Sequence, residues 1–159
     1  MVHFLQIAQL RNPILRQQAK EVTSIYEKET QDIIDDLIAT SVSVDGVGLS
    51  APQVYQSLQL FVVTSHPTKH YPKAPNIKPL VFINPTILNY SKNKNTDWEG
   101  CLSIPGIRGR VSRHTSVTVE FTNRFGKKEK KLFLGFISRV IQHEYDHLHG
   151  MVFIDRIKK

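Results

Sequence analysis

Two histidines four residues apart bracket a glutamate in His143-Glu144-Tyr145-Asp146-His147. This H-E-x-x-H pattern constrains the chain more than any other feature, because it calls for one kind of helix. Residues four apart on an α-helix sit about 40° apart around the axis, one turn above the other. Both imidazoles can therefore reach one cation. Glu144 falls about 100° round from His143, on the side of Phe133, Phe136, Ile137, Val140 and Leu148. A carboxylate on an apolar stripe is costly unless it has a partner or a task. Acting as general base beside a metal-activated water is such a task. His149 falls opposite the stripe and reads as a surface histidine.

An open catalytic metal site normally has three protein ligands plus water, so one ligand remains to be found. A longer zinc-enzyme pattern would need a histidine where the chain has Phe153, and Gly150 reads as a helix C-terminal residue. Upstream, the one cysteine, Cys101, stands in Glu99-Gly100-Cys101-Leu102-Ser103. A thiolate suits soft or borderline cations. Taken alone, a lone cysteine reads more readily as a small buried hydrophobe. It excludes an internal disulfide and fits a reducing compartment.

Ile33, Ile34, Leu37, Ile38 and Val42 recur at helical spacing, so Thr23–Val44 is expected to be a helix ending before Asp45-Gly46-Val47-Gly48. Leu58–Thr64 and Pro79–Ile83 read as strands, with a proline-bearing surface loop over Ser65–Lys78 between them. Ser116–Thr122 alternates like a half-buried strand, Asn123–Gly126 like a hairpin turn, and Lys130–Leu134 returns. A second helix should run from Phe133 or Phe136 to His149. The order implies a single α+β domain over residues 1–159, with mostly antiparallel strands around a central metal-binding helix and an N-terminal helix.

At 159 residues, 40% hydrophobic and 22% charged, the composition is that of a soluble globular chain. The longest apolar stretch, Leu132–Ile137, is far short of the roughly 20 residues that span a bilayer. The formal charge of +7 permits weak attraction to anionic surfaces. The densest run, Lys127–Lys131, reads as a solvated hairpin tip, with phosphate-backbone contact as the alternative. Met1 to Lys20 carries three basic residues and no acidic one, as a transit peptide would, but Asn12-Pro13 breaks any amphipathic helix there.

Three segments in order, Gly46-Val47-Gly48-Leu49-Ser50-Ala51-Pro52-Gln53, Glu99-Gly100-Cys101-Leu102-Ser103 and Gln142-His143-Glu144-Tyr145-Asp146-His147, resemble the peptide deformylase family. Arg11-Asn12-Pro13-Ile14-Leu15-Arg16 resembles its opening segment, so the likeness covers nearly the whole chain and draws the N-terminus into the folded domain. The resemblance implies a metal-dependent hydrolase that removes the formyl group from N-terminal formyl-methionine of nascent polypeptides. It implies Cys101, His143 and His147 as ligands of one divalent metal ion, Fe(II) in the cell, with zinc, nickel or cobalt also accepted. Glu144 would be the general base, and the Gln53 side-chain amide and the Leu102 backbone N–H would stabilise the oxyanion. Gly46, Gly48 and Glu99 are expected among the substrate-binding residues, the glycines through tight turning and close approach. Val140 and Phe136 either line the methionine pocket or are simply core.

The expected partners are N-formyl-methionyl nascent peptides with transient ribosome proximity, and neither a membrane nor a specific nucleic acid. The expected location is cytoplasmic, of bacterial or phage type or in an organelle. Some family members carry a further C-terminal helix that docks on the ribosome, whereas this chain ends at Ile157-Lys158-Lys159. Two other readings compete. A zinc peptidase of the H-E-x-x-H type leaves Cys101 and Gln53 without roles. A basic ribosome- or RNA-associated module with a structural metal lacks an obvious fourth ligand.

Overall fold

The helical spacing of Ile33, Ile34, Leu37 and Ile38 becomes one face of α1 (Lys28–Ser43), with Ile34 and Leu37 fully buried. The helix begins at Lys28 rather than Thr23 because the preceding segment is committed to a turn. There the Glu27 N–H donates to the Ser24 carbonyl, and the Gln31 amide donates to the Ile25 carbonyl. These observations come from a computed structural model that describes residues 1–157. Lys158 and Lys159, the end of the expected tail, lie outside the described residues.

Among the described residues, seven strands follow α1: β1 (Gly48–Ser50), β2 (Leu60–Val63), β3 (Leu80–Tyr90), β4 (Lys94–Cys101), β5 (Ile104–His114), β6 (Ser116–Thr122) and β7 (Lys128–Leu134). The second helix, α2, runs from Gly135 to Leu148. Of the two expected starts, Phe136 lies on this helix, while Phe133 lies on β7, within the expected return strand Lys130–Leu134, and packs into the same core. Five strands form an antiparallel sheet in the order β1-β2-β3-β6-β7, and β4 and β5 form a separate hairpin.

β3 runs on to Tyr90 instead of stopping at Ile83. Asn84-Pro85 reads as a stop, because proline cannot donate to a ladder. The chain absorbs it in a register shift between Ile83 and Thr86, with Asn84 at φ 49°, and pairing with β6 resumes beyond it. The β4–β5 hairpin had no counterpart in the sequence reading. Its strands are rich in Lys, Asn, Asp, Arg and Gly, poor strand formers alone, and cross-strand pairing holds them together.

Because successive strand residues face opposite sides, β2 is buried twice over. Leu60 and Val62 pack with Ile34 and Leu37 of α1, while Phe61 and Val63 pack with Val140, Ile141 and Leu148 of α2. Val117, Val119 and Phe121 of β6 complete the second core, as their alternation implied. The architecture is the expected α+β, with antiparallel sheets and two helices. No helix of the described residues is long and apolar enough to cross a membrane.

Candidate active site

The helical wheel places Glu144 and His147 inward, and both are almost completely buried, at 3% and 1% exposure. Cys101 ends β4, at the turn into β5, and its Sγ lies 3.4 Å from His147 Nε2. One ligand atom each from Cys101, His143 and His147 lies within 4.8 Å of the other two. Metal–sulfur and metal–nitrogen bonds of about 2.3 and 2.1 Å in tetrahedral geometry hold ligand atoms roughly 3.5 Å apart. The donor set therefore fits a single cation with small adjustment. His143 Nδ1 is taken by Glu99 Oε1 at 3.0 Å, which fixes the ring and leaves Nε2 for the centre. Glu144 Oε1 and His147 Nδ1 are buried without a hydrogen-bond partner among the described residues.

Glu99, expected among the substrate-binding residues, is one of the residues lining the cavity over this cluster. Its carboxylate is 2% exposed, and both oxygens are engaged. Arg113 Nε and Nη2 each donate at 2.9 Å, Arg139 Nη1 at 2.7 Å, and His143 Nδ1 lies 3.0 Å away. Arg113 also donates to Asp146 at 2.7 Å, and Arg156 closes on the same carboxylate at 2.6 Å. Glu99 backs an imidazole and ties the hairpin to α2.

Gln53 lies in a short 3-10 helix, Ala51–Val54, that follows β1 directly. Its Oε1 accepts from the Ser50 N–H and hydroxyl, which orients the amide. Its Nε2 then points to Ser103 Oγ at 3.1 Å and Cys101 Sγ at 3.5 Å. Leu102 follows Cys101 in the turn, so both expected oxyanion donors flank the thiol. A cavity of about 620 Å³ opens over this cluster, and Gly46, Gly48, Leu102, Phe136, Val140 and Glu144 are among its walls. Gly46 and Gly48 do not have positive φ. Gly48 is required for close approach to α2 rather than for turning. A Cβ there would meet Val140 Cγ1 at 2.9 Å and Glu144 Oε2 at 3.2 Å. Val140 is both core and cavity wall.

Burial pushes the Glu144 carboxyl up to about 7, with the Glu99 charge adding to it against the pull of His143. Burial opposes charge on His143, but bonds to Cys101 and Glu99 prevail and hold its pKa well above the ordinary value. Burial, with the nearby His143 charge, holds His147 well below it. Glu99 is held far below the carboxylate range despite its burial, chiefly by the Arg113 and His143 bonds.

Arg113, Arg139 and Asp146 were not singled out from the sequence. One signal was present: Arg139, His143 and Asp146 share a helix face, where Glu99 meets the first two and Arg113 the third. Tyr71, packed on Phe136, also emerges only in three dimensions. His149 is exposed, and His3, His66, His70 and His114 lie outside the cluster.

The sequence matches the family described as polypeptide deformylase over residues 4–159. "Peptide deformylase 2" of a Nostoc species is 49% identical over 154 residues, covering 97% of this chain and 86% of that protein. A Met-Ala-Ser-bound crystal structure of a class I type b peptide deformylase from Acinetobacter baumannii superposes with a TM-score of 0.96 at 37% identity, covering 99% of this chain and 100% of that one. The peptide deformylase of Thermotoga maritima gives 0.88 at 35% identity, covering 99% of each chain.

Proposed function

The chain belongs to the peptide deformylase family, and we propose that Cys101, His143 and His147 hold the one divalent metal ion its reaction uses. It is a hydrolase that removes the formyl group from N-formyl-methionyl peptides, releasing formate. One thiolate and two imidazoles accept ferrous iron, zinc, nickel or cobalt, and ferrous iron is the proposed ion in the cell. When bound, the cation supplies a Lewis acid for the formyl oxygen and makes water acidic near neutral pH.

Glu144 accepts the proton of the attacking water and later delivers it to the leaving amine. A carboxyl whose pKa is near neutrality is suited to both transfers. The Gln53 Nε2–H and the Leu102 N–H donate to the formyl oxygen as it gains negative charge. Ser50 keeps the Gln53 amide turned the right way. Glu99 and Arg113 hold His143 in orientation. Val140 and Phe136 line the pocket for the methionine side chain, with Gly46 and Gly48 letting the substrate lie close. The observation that carries this reading is Glu144: a buried carboxylate with an unpartnered oxygen, beside three converging donor atoms at a cavity floor.

The proposed catalytic domain spans residues 1–159, and the proposed setting is a cytoplasm of bacterial or phage type, or an organelle, with transient approach to the ribosome, aided by the +7 charge. The test is formate release from a formyl-methionyl tripeptide by protein prepared without oxygen and supplied with ferrous iron, beside its Glu144→Ala variant. The variant should bind metal as the parent does and lose about 10²–10⁴-fold in rate. Near-full activity in the variant would remove the general-base role. Cleavage of N-acetylated or internal peptide bonds instead would favour a peptidase.

A further inference from the structure

Asp45, Gly46, Val47 and Gly48 form one wall of the cavity, and that wall is fastened from behind. Its anchor is Thr64, which follows β2 directly and is buried. The Thr64 N–H donates to the Val47 carbonyl at 2.9 Å. The Thr64 hydroxyl donates to the Gly46 carbonyl at 3.1 Å and lies 2.7 Å from the buried Ser41 hydroxyl of α1. At Gly46 the wall also meets the turn that carries the Leu102 N–H, since a Cβ there would stand 3.1 Å from Leu102 Cδ1. Asp45 is the outlying part of the wall. Its backbone is left-handed, at φ 59°, and its side chain is 60% exposed. A residue other than glycine keeps that conformation where its surroundings hold it.

His66 holds it from outside the cavity. Its Nδ1 lies 2.7 Å from the Thr64 carbonyl oxygen, and its Nε2 lies 2.9 Å from Asp45 Oδ1. A carbonyl and a carboxylate only accept hydrogen bonds. Both contacts are therefore bonds only when both ring nitrogens carry hydrogen, in the imidazolium. A neutral ring leaves one acceptor facing a lone pair. The bonds to Thr64 and Asp45 raise the pKa of the ring above its ordinary value, against the burial that opposes its charge. Asp45, on the turn after α1, is the charged group that faces the ring; Thr64 is uncharged, and Lys69 and His70 follow on the ring's own loop.

We propose that His66 is a positioning residue for deformylation: as the imidazolium it clamps Asp45 to Thr64 and sets the wall of residues 45–48 against the substrate, and on losing its proton it releases that wall. The inference rests on the deformylase reading and adds to it a control of substrate binding by pH.

The test follows formate release by iron-loaded protein from about pH 6 to about pH 9. The substrate is a C-terminally amidated formyl-methionyl tripeptide without titratable side chains. Titrations at the metal and at Glu144 are shared by parent and variants, and they cancel when KM is taken as a ratio to the parent's at each pH. His66→Ala should raise KM about two- to fivefold at the acid end, more than it lowers kcat, and the ratio should fall towards one at the alkaline end. Asp45→Asn is the rescue. An amide accepts from the imidazolium and, turned over, donates to a neutral Nε2 while Nδ1–H still serves Thr64. That variant should keep its low KM at alkaline pH, where the parent's has risen, and in the His66→Ala background the same change should do nothing. In zinc-loaded protein, NMR should show two N–H protons on the His66 ring at the acid end, lost with the midpoint at which the KM ratio changes. A KM ratio that is the same at every pH, parent-like KM for His66→Ala at the acid end, or a ring singly protonated there would overturn the proposal alone. No turnover of any formyl peptide by iron-loaded protein would overturn the deformylase reading and this proposal with it.

Discussion

At Gly48 the strand β1 and the helix α2 come so close that a hydrogen is the largest side chain that fits, since a Cβ would stand 2.9 Å from Val140 Cγ1 and 3.2 Å from Glu144 Oε2. Gly48→Ala should therefore destabilise the protein by about 1–3 kcal/mol through overpacking and lower the rate of formate release by displacing Glu144. Denaturant unfolding beside kinetics checks both, and a variant unchanged in each would show that α2 can shift without cost. Gln53 is governed at the same scale. Its amide has a defined orientation only because Ser50 supplies two donors to one oxygen. The inward direction of Glu144 could be read from helical geometry, because it depends on residues within two turns. The duty of Glu99 could not, because its partners lie 14, 40 and 44 residues away.

Among the elements, α2 carries two functional faces. Val140, Ile141 and Leu148 pack on the sheet, while Arg139, His143 and Asp146 meet the hairpin through Glu99 and Arg113. Removing the Glu99 charge would leave the buried Arg139 without its anion and Arg113 with Asp146 alone. Glu99→Gln should cost about 3 kcal/mol, read as a lower urea midpoint at unchanged m-value. A midpoint like the parent's would mean that the hairpin repacks around the arginines. The chain ends are fastened more lightly. Asp155, in the short 3-10 helix Phe153–Arg156, accepts from Arg16 at 2.6 Å and from the Val152 N–H at 3.0 Å. Burial opposes the charge, but these bonds hold the Asp155 carboxyl below the ordinary value. A depressed carboxylate contributes its stability fully above the unfolded pKa and loses it as pH falls through the folded one. Asp155→Asn should thus cost about 1 kcal/mol at neutral pH, and the cost should vanish as acid protonates the carboxyl in the folded protein. A difference that persists at low pH would assign the effect to shape rather than charge. The hairpin itself escaped the sequence because Lys, Asn, Asp, Arg and Gly show no strand preference until a partner strand satisfies their backbone.

Over the whole molecule, the proposed ligands cross-link parts that fold apart in sequence, with Cys101 on β4 and both histidines on α2. A cation that binds only the folded form at 100 times its Kd adds about 2.7 kcal/mol. Chelator-treated protein should therefore melt several degrees lower and recover with ferrous iron, cobalt or zinc. A melting temperature indifferent to chelator and metal would remove the proposed ligand set. The sequence by itself determined the features whose causes are local. The H-E-x-x-H pair and the inward Glu144 follow from the pitch of a helix. The alternating β6, with its turn at Asn123–Gly126, follows from a period of two and a glycine at φ 83°. The meeting of Cys101 with His147 across 46 residues was implied only by the family motifs, and tertiary structure alone decided that Glu99 serves His143 and that Arg108 stacks on Tyr71 beside the cavity. The physical reason is that burial and ion pairing depend on which elements exclude water from one another and on the register in which strands pair, and neither is set by a residue's neighbours along the chain.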